Sequence, residues 1–211
     1  MTNDKPLSWG QLLKQRKSYA VILGRFFIDP IWWMFITWLP IYLFEVYGFN
    51  VKEIGLTAWV PYVGAAVGSI SGGWFSGKLI KKGRTINFAR KLAISIGCGI
   101  TLPTLLATAF VKDANTAVIL MAFILAGFQF AITNIQTLAS DLYSGKTVGS
   151  LAGLGGAAAV IGIIISIYFV PYITAGGNWF WFFMMGASLV PLSLLSVFIM
   201  GGKIEPVFTK E

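Results

Sequence analysis

Between residues 147 and 202 the chain carries no charged side chain. A water-soluble domain has no way to hide such a run, and the break at Thr174-Ala175-Gly176-Gly177-Asn178 divides it into two segments, each about as long as the roughly 20 residues a helix needs to cross a bilayer core. Four more apolar stretches precede it, giving six in all: 19–44, 54–80, 92–111, 114–141, 147–171 and 179–200. The pattern predicts an all-α membrane protein with six transmembrane helices. Charged residues make up 11% of the chain, against about a quarter in soluble domains, so lipid is the main solvent of this surface.

The net charge of +8 would suggest nucleic acid in a soluble protein. Here it follows from how basic residues sort across a membrane, and no nucleic-acid partner is expected. With the N-terminus in the cytoplasm, Lys5, Lys14, Arg16, Lys17, Lys78, Lys81, Lys82, Arg84, Arg90, Lys91, Lys146, Lys203 and Lys210 fall inside, and only Lys52 and Lys112 outside. Both termini are therefore expected to be cytoplasmic. The chain divides into a cytoplasmic lead-in at 1–18, a six-helix bundle at 19–202 and a cytoplasmic tail at 203–211. In the lead-in, Ser8 caps a short predicted helix whose Trp9, Leu12 and Leu13 touch the interface. Its basic region is too long for a cleavable signal peptide, and no small-residue cleavage site follows.

Several chemistries have no support. The chain has no histidine and a single cysteine, Cys98, so a Ser-His-Asp catalyst is excluded, and zinc, haem and iron-sulfur sites lack ligands. No cofactor or metal site is expected, and no enzyme activity. The glycine-punctuated basic stretch Gly73-Trp74-Phe75-Ser76-Gly77-Lys78-Leu79-Ile80-Lys81-Lys82-Gly83-Arg84 lacks the spacing of a phosphate-binding loop.

Polarity inside the membrane is concentrated in two helices. Arg25 and Asp29, four residues apart in the first span, share one helical face, and a rise of about 1.5 Å per residue puts Asp29 near the bilayer midplane. Ionisable groups at that depth persist where they pair or face a watery cavity. Either the two knit this helix to a neighbour or they serve a passing ligand, and the second reading is preferred. Pro30 and Pro40 remove helical hydrogen bonds from Phe26 and Ile36, so a kink suited to gating is expected. In the fourth span Gln129, Thr133, Gln136 and Ser140 share a face flanked by Asn134, Thr137 and Asp141, reading either as interhelical hydrogen bonding or as a cavity lining. Rows of small residues, namely Gly64, Gly68 and Gly72, Gly73 and Gly77, then Gly149 and Gly153, predict close helix packing.

Six spans, cytoplasmic termini and the basic loop together resemble the C-terminal half of a major facilitator superfamily transporter. The first span, from Gly24 to Leu43 with Asp29-Pro30-Ile31-Trp32-Trp33 at its centre, resembles the seventh helix of the anion:cation symporter family, especially its hexuronate branch. Asn87-Phe88-Ala89-Arg90-Lys91 and the stretch from Ser140 to Gly156 add to the likeness. The resemblance implies a 3+3 inverted repeat forming one half of the fold, inner-membrane location, and symport of a sugar-acid anion with protons by alternating access between two six-helix halves. It also implies a partner: a missing N-terminal half or a second copy of this chain.

On that resemblance Arg25 stands where relatives carry a cargo-contacting lysine, glutamine or arginine, and Gln129 and Asn134 match polar positions of the tenth helix. Arg25, Asp29, Gln129, Thr133 and Asn134 are thus the candidate substrate-binding residues, and Pro30, Trp33, Pro40, Gly73, Arg84 and Asp141 the candidate gating or structural ones. Asp29 is expected to hold Arg25 in place, because a nearby cation opposes proton binding. Two departures stand out. Ala131 replaces a tryptophan common in hexuronate relatives, and Gly77 replaces an acidic residue of the loop signature. The alternative reading is a non-transporting membrane scaffold that associates with another chain.

Overall fold

A computed structural model describes residues 7–207; Lys5 and Lys210 of the topology argument lie outside the described residues. The fold is all-α, with eight helices among the described residues: α1 (Trp9–Lys14), α2 (Ser18–Tyr47), α3 (Val51–Thr57), α4 (Val60–Lys81), α5 (Ile86–Thr108), α6 (Ala114–Leu142), α7 (Lys146–Ile173) and α8 (Phe180–Gly201). Six stretches are long and apolar enough to cross a membrane: α2, α3 with α4, α5, α6, α7 and α8.

The second apolar stretch is not one helix, as its sequence suggested. Pro61 has no N–H to offer the carbonyl of Thr57, so α3 ends there and α4 starts afresh with the proline in its first turn. α2, by contrast, runs unbroken through Pro30 and Pro40. At the other end of α4, Gly83 takes the left-handed conformation (φ +83°) and its N–H closes on the carbonyl of Ile80. Several helix starts are capped as their residues dictate. Ser8 and Gln11 form a capping box on α1, Asn50 and Glu53 another on α3. Asp113 caps α6, where the hydroxyl and amide of Thr116 hold its carboxyl below the usual carboxylate range.

Packing follows a simple exchange. α6 lies against α4 and α5, while α2 lies against α7 and α8; α5 meets α8, and α2 meets α6. Swapping the first three spans for the last three leaves this pattern unchanged, the relation expected of a 3+3 repeat.

Glycine sets the closest approaches. A Cβ on Gly64, Gly68 or Gly72 would run into the backbone of Ala122, Ala126 or Phe130, so α4 and α6 touch main chain to main chain, as the sequence row predicted. Gly97 and Gly127 do the same for α5 and α6. The row Gly149 and Gly153 does not: both face open space, as does Gly77, while Gly155 and Gly162 of the same helix α7 meet α2 instead. The Phe26 carbonyl, left without a helical donor by Pro30, is the atom a Cβ at Gly162 would strike. Gly68→Val should accordingly cost about 3 kcal/mol, read as a large drop in the melting temperature of the purified chain in detergent, whereas Gly153→Val should leave it nearly unchanged.

One end of the bundle is basic and strapped. Leu12 is buried in the core rather than lying at an interface, although Trp9 and Leu13 beside it are exposed. Arg16 donates to the Ile199 carbonyl, Lys91 to that of Gly202, and Asn87 accepts from the Ile204 amide. Lys17 and Lys203 both pair with Glu205, and the carboxyl of Glu205 is held low, first by Lys203.

Candidate functional site: a groove between α2 and α6

Halfway along the bundle, α2 and α6 enclose a groove of about 230 Å³. Arg25, Asp29, Trp32 and Trp33 form one wall and Phe128, Gln129, Ile132 and Gln136 the other. The two sets recur at the three- and four-residue steps that bring side chains to one helical face. Gln129 lies near the middle of α6, so the groove opens at the depth where membrane carriers hold charged cargo.

Arg25 and Asp29 are paired within the groove. Nε and Nη2 of Arg25 donate to the same oxygen, Oδ2 of Asp29, at 3.1 and 2.8 Å. Nη1 points away from the pair and makes only a 3.5 Å contact with the Ala152 carbonyl of α7. The Arg25 side chain keeps 19% of its surface exposed. It fits here because α7 presents glycine: a Cβ on Gly155 would sit 3.3 Å from Arg25 Cδ, and one on Gly156 3.6 Å from Nη1. A guanidinium carries five N–H donors, so it has donors left over after Asp29 is satisfied.

The rest of the groove is amide and aromatic. Trp32 stacks on Phe128 with ring centres 6.0 Å apart and planes 18° from parallel, and Tyr62 of α4 meets Trp32 edge-on at 5.7 Å. These contacts hold the Trp32 ring against the α6 wall. Trp33, 44% exposed, stands in the mouth. Gln129 and Gln136, two turns apart, each offer a carbonyl and an amide.

The other candidates fall elsewhere. Asn134, matched above to a polar position of the tenth helix and offered as a substrate-binding candidate, is fully buried (0% exposed) and bonds the Gly72 and Phe130 carbonyls, so it ties α4 to α6 and does not line the groove. Thr133 turns to the same interface, its hydroxyl 3.3 Å from that of Ser69 and also donating to the Gln129 carbonyl. A Cβ at Gly73 would touch Thr133 Cγ2, which places Gly73 in the same seam. Asp141 belongs to a second polar cluster: Arg90 donates to both its oxygens, at 2.7 and 3.4 Å, and to Ser76 and Asn134. Arg84 is exposed and rests over the Phe88 ring; Pro40 is exposed, and Pro30 is buried against α7.

The sequence alone does not single out three residues: Arg90, Phe128 and Ile132. The sequence puts Arg90 on the cytoplasmic side, ahead of the 92–111 stretch, but α5 begins at Ile86, so Arg90 sits one turn inside it and points at α6. The signal was Asp141, an acid at a span end with no cation beside it on its own helix. Phe128 gives no signal beyond apolar character, and Ile132, expected from the sequence to point away from the polar face of the fourth span, lines the groove with Gln129 and Gln136.

The sequence profile of the Major Facilitator Superfamily matches residues 2–135. Among curated proteins, the chain is 31% identical over 163 residues to a hexuronate transporter of Escherichia coli (strain K12), covering 75% of this chain and 37% of that one. It is 32% identical over 164 residues to a probable galactarate/D-glucarate transporter of the same strain, covering 76% and 36% respectively. A galacturonate transporter of Dickeya chrysanthemi is 38% identical over 97 residues, 45% of this chain and 28% of that one. The chain thus spans little more than a third of the first two. With a helical bundle of the right architecture and a profile match over more than half its length, the chain belongs to the Major Facilitator Superfamily, a family of transporters.

Proposed function

We propose that this bundle is the cargo-gripping part of a carrier that moves a sugar-acid anion of the hexuronate type, together with protons, across the inner membrane. The observation that carries this reading is a guanidinium with unused donors facing a groove at mid-membrane depth. Its charge offsets the desolvation of a carboxylate, and its planar fork suits a carboxylate's two oxygens. Gln129 and Gln136 supply donors and acceptors for sugar hydroxyls, and the Trp32 and Trp33 rings offer an apolar surface to the C–H face of a sugar ring. The relatives' names favour this class of cargo.

At about 230 Å³ the groove is smaller than the roughly 300–1,000 Å³ of enclosed ligand sites, and it is built from two helices only. A second six-helix unit facing α2 and α6, supplied by a missing N-terminal half or by a second copy, completes the cavity and supplies alternating access. The basic strapped end faces the cytoplasm, with both termini inside, because the opposite orientation would reverse the bias of Lys and Arg. Membrane vesicles containing the chain, with and without a supplied N-terminal six-helix unit, should accumulate galacturonate or glucuronate when a proton gradient is imposed. Uptake that ignores the gradient removes the symport reading, and association with another membrane chain without any uptake supports a scaffold instead.

A further inference from the structure

We infer that Asp29 is the site at which this bundle binds a proton along with its anion, an inference that rests on the groove being the cargo site. Both Arg25 contacts end on Oδ2. Oδ1 of the same carboxylate is buried and accepts no hydrogen bond, and Asp29 as a whole is 8% exposed. A buried carboxylate oxygen with no donor is an expensive arrangement that persists mainly where it has a use. Asp29 lines the groove, and Oδ2 is the oxygen Arg25 holds, which leaves the lone pairs of Oδ1 free to take a proton.

Charge balance supplies the coupling. In the empty groove one cation and one anion cancel. An arriving cargo carboxylate competes with Asp29 for the Arg25 N–H groups, and two carboxylates on one guanidinium leave a net negative charge in a poorly solvated site. Protonation of Asp29 at Oδ1 cancels that charge: a hydronium ion reaching the groove gives up a proton and leaves as water, one of its O–H bonds breaking as one forms on Asp29, while Arg25 stays cationic and its donors pass from Oδ2 to the cargo. Release of the anion reverses each step and returns the proton to water. The same residue therefore serves as counter-ion when the groove is empty and as acid when it is full.

Among the described residues no other charge faces Asp29 to share this role. On α2 the remaining acid, Glu45, lies at the far end and accepts from Trp179. α7 presents glycines and a backbone carbonyl to the pair, with Lys146, Tyr168 and Tyr172 exposed or remote. α8 has no ionisable side chain, α6 brings the neutral Gln129 and Gln136, and its Asp141 is already paired with Arg90.

The test is calorimetric titration of galacturonate into the chain in lipid nanodiscs, in two buffers of different ionisation enthalpy. The wild type should take up about one proton per anion bound, with affinity falling as pH rises. Infrared difference spectra should show a carboxylic acid C=O band appearing with galacturonate. Asp29→Asn, which resembles the protonated acid, should bind the anion with pH-independent affinity, no proton uptake and no such band. Binding by the wild type without proton uptake, or uptake and band unchanged in Asp29→Asn, overturns this assignment and leaves the cargo site standing. Absence of galacturonate binding by the wild type at every pH, both alone and with a supplied N-terminal six-helix unit, overturns both. The wild-type stoichiometry decides the matter even if the variant fails to fold.

Discussion

Arg25→Ala is expected to weaken galacturonate binding by about 30-fold or more, the loss that follows from removing charge-assisted hydrogen bonds worth about 2 kcal/mol. The variant also strands Asp29, a buried carboxylate whose only hydrogen bonds among the described residues come from Arg25, so its thermal stability should fall. These two effects separate in a double variant. Arg25→Ala with Asp29→Asn should recover stability, because no unpaired charge remains, without recovering affinity. A double variant that regains binding would mean that Arg25 acts on Asp29 alone and never meets the anion. Arg25→Lys should bind with intermediate affinity, since an ammonium keeps the charge but lacks the planar fork.

A stability effect as large as that of Gly68→Val belongs to the second polar cluster. Arg90→Leu should cost about 3 kcal/mol, because Asp141 then keeps its charge without a partner, and Asn134 and Ser76 lose a donor at the same stroke. This cluster joins α4, α5 and α6, the three helices that also meet at Gly68, Gly72, Gly97 and Gly127. Arg90→Leu with Asp141→Leu should restore much of the loss, since a buried ion pair contributes little more than apolar side chains of similar size. Thermal unfolding of the three purified proteins in detergent checks this. Equal losses in the single and double variants would show that the ion pair itself, rather than the stranded charge, sets the stability.

What the sequence makes legible follows from the strength of each physical constraint. Six spans are legible because hydrocarbon tolerates no unsatisfied backbone and few charges, so composition alone marks them. The Arg25–Asp29 pair is legible because a four-residue step fixes both on one face, and the structure places them in hydrogen-bond contact. The α6 stripe is harder. Gln129, Gln136 and Asn134 are all amides on neighbouring faces, and a rotation of about 100° per residue separates one that opens to the groove from one sealed against Gly72. Periodicity gives the angle between them but not the direction of the bundle axis.

The glycine rows show the same limit. Gly68 and Gly153 both stand in four-residue repeats, yet a Cβ on the first would strike Ala126 and one on the second would meet nothing within 4 Å among the described residues. Which face of a helix meets which neighbour depends on tertiary arrangement, and the exchange that pairs α2 with α7 and α6 with α4 has no local signature. The break between α3 and α4 was available from Pro61 but hidden by an uninterrupted apolar run.

The most direct test of the groove exploits the chain's single cysteine, Cys98, which is buried at 2% exposure and should be silent to water-soluble thiol reagents. With Gln136→Cys as the only reactive position, labelling by a charged thiosulfonate should be slowed by galacturonate in a saturable manner and left alone by neutral galactose. The same protection should vanish when Arg25→Ala is added. Labelling that proceeds at one rate with and without galacturonate, at concentrations where the anion is bound, would place the cargo outside the α2–α6 groove.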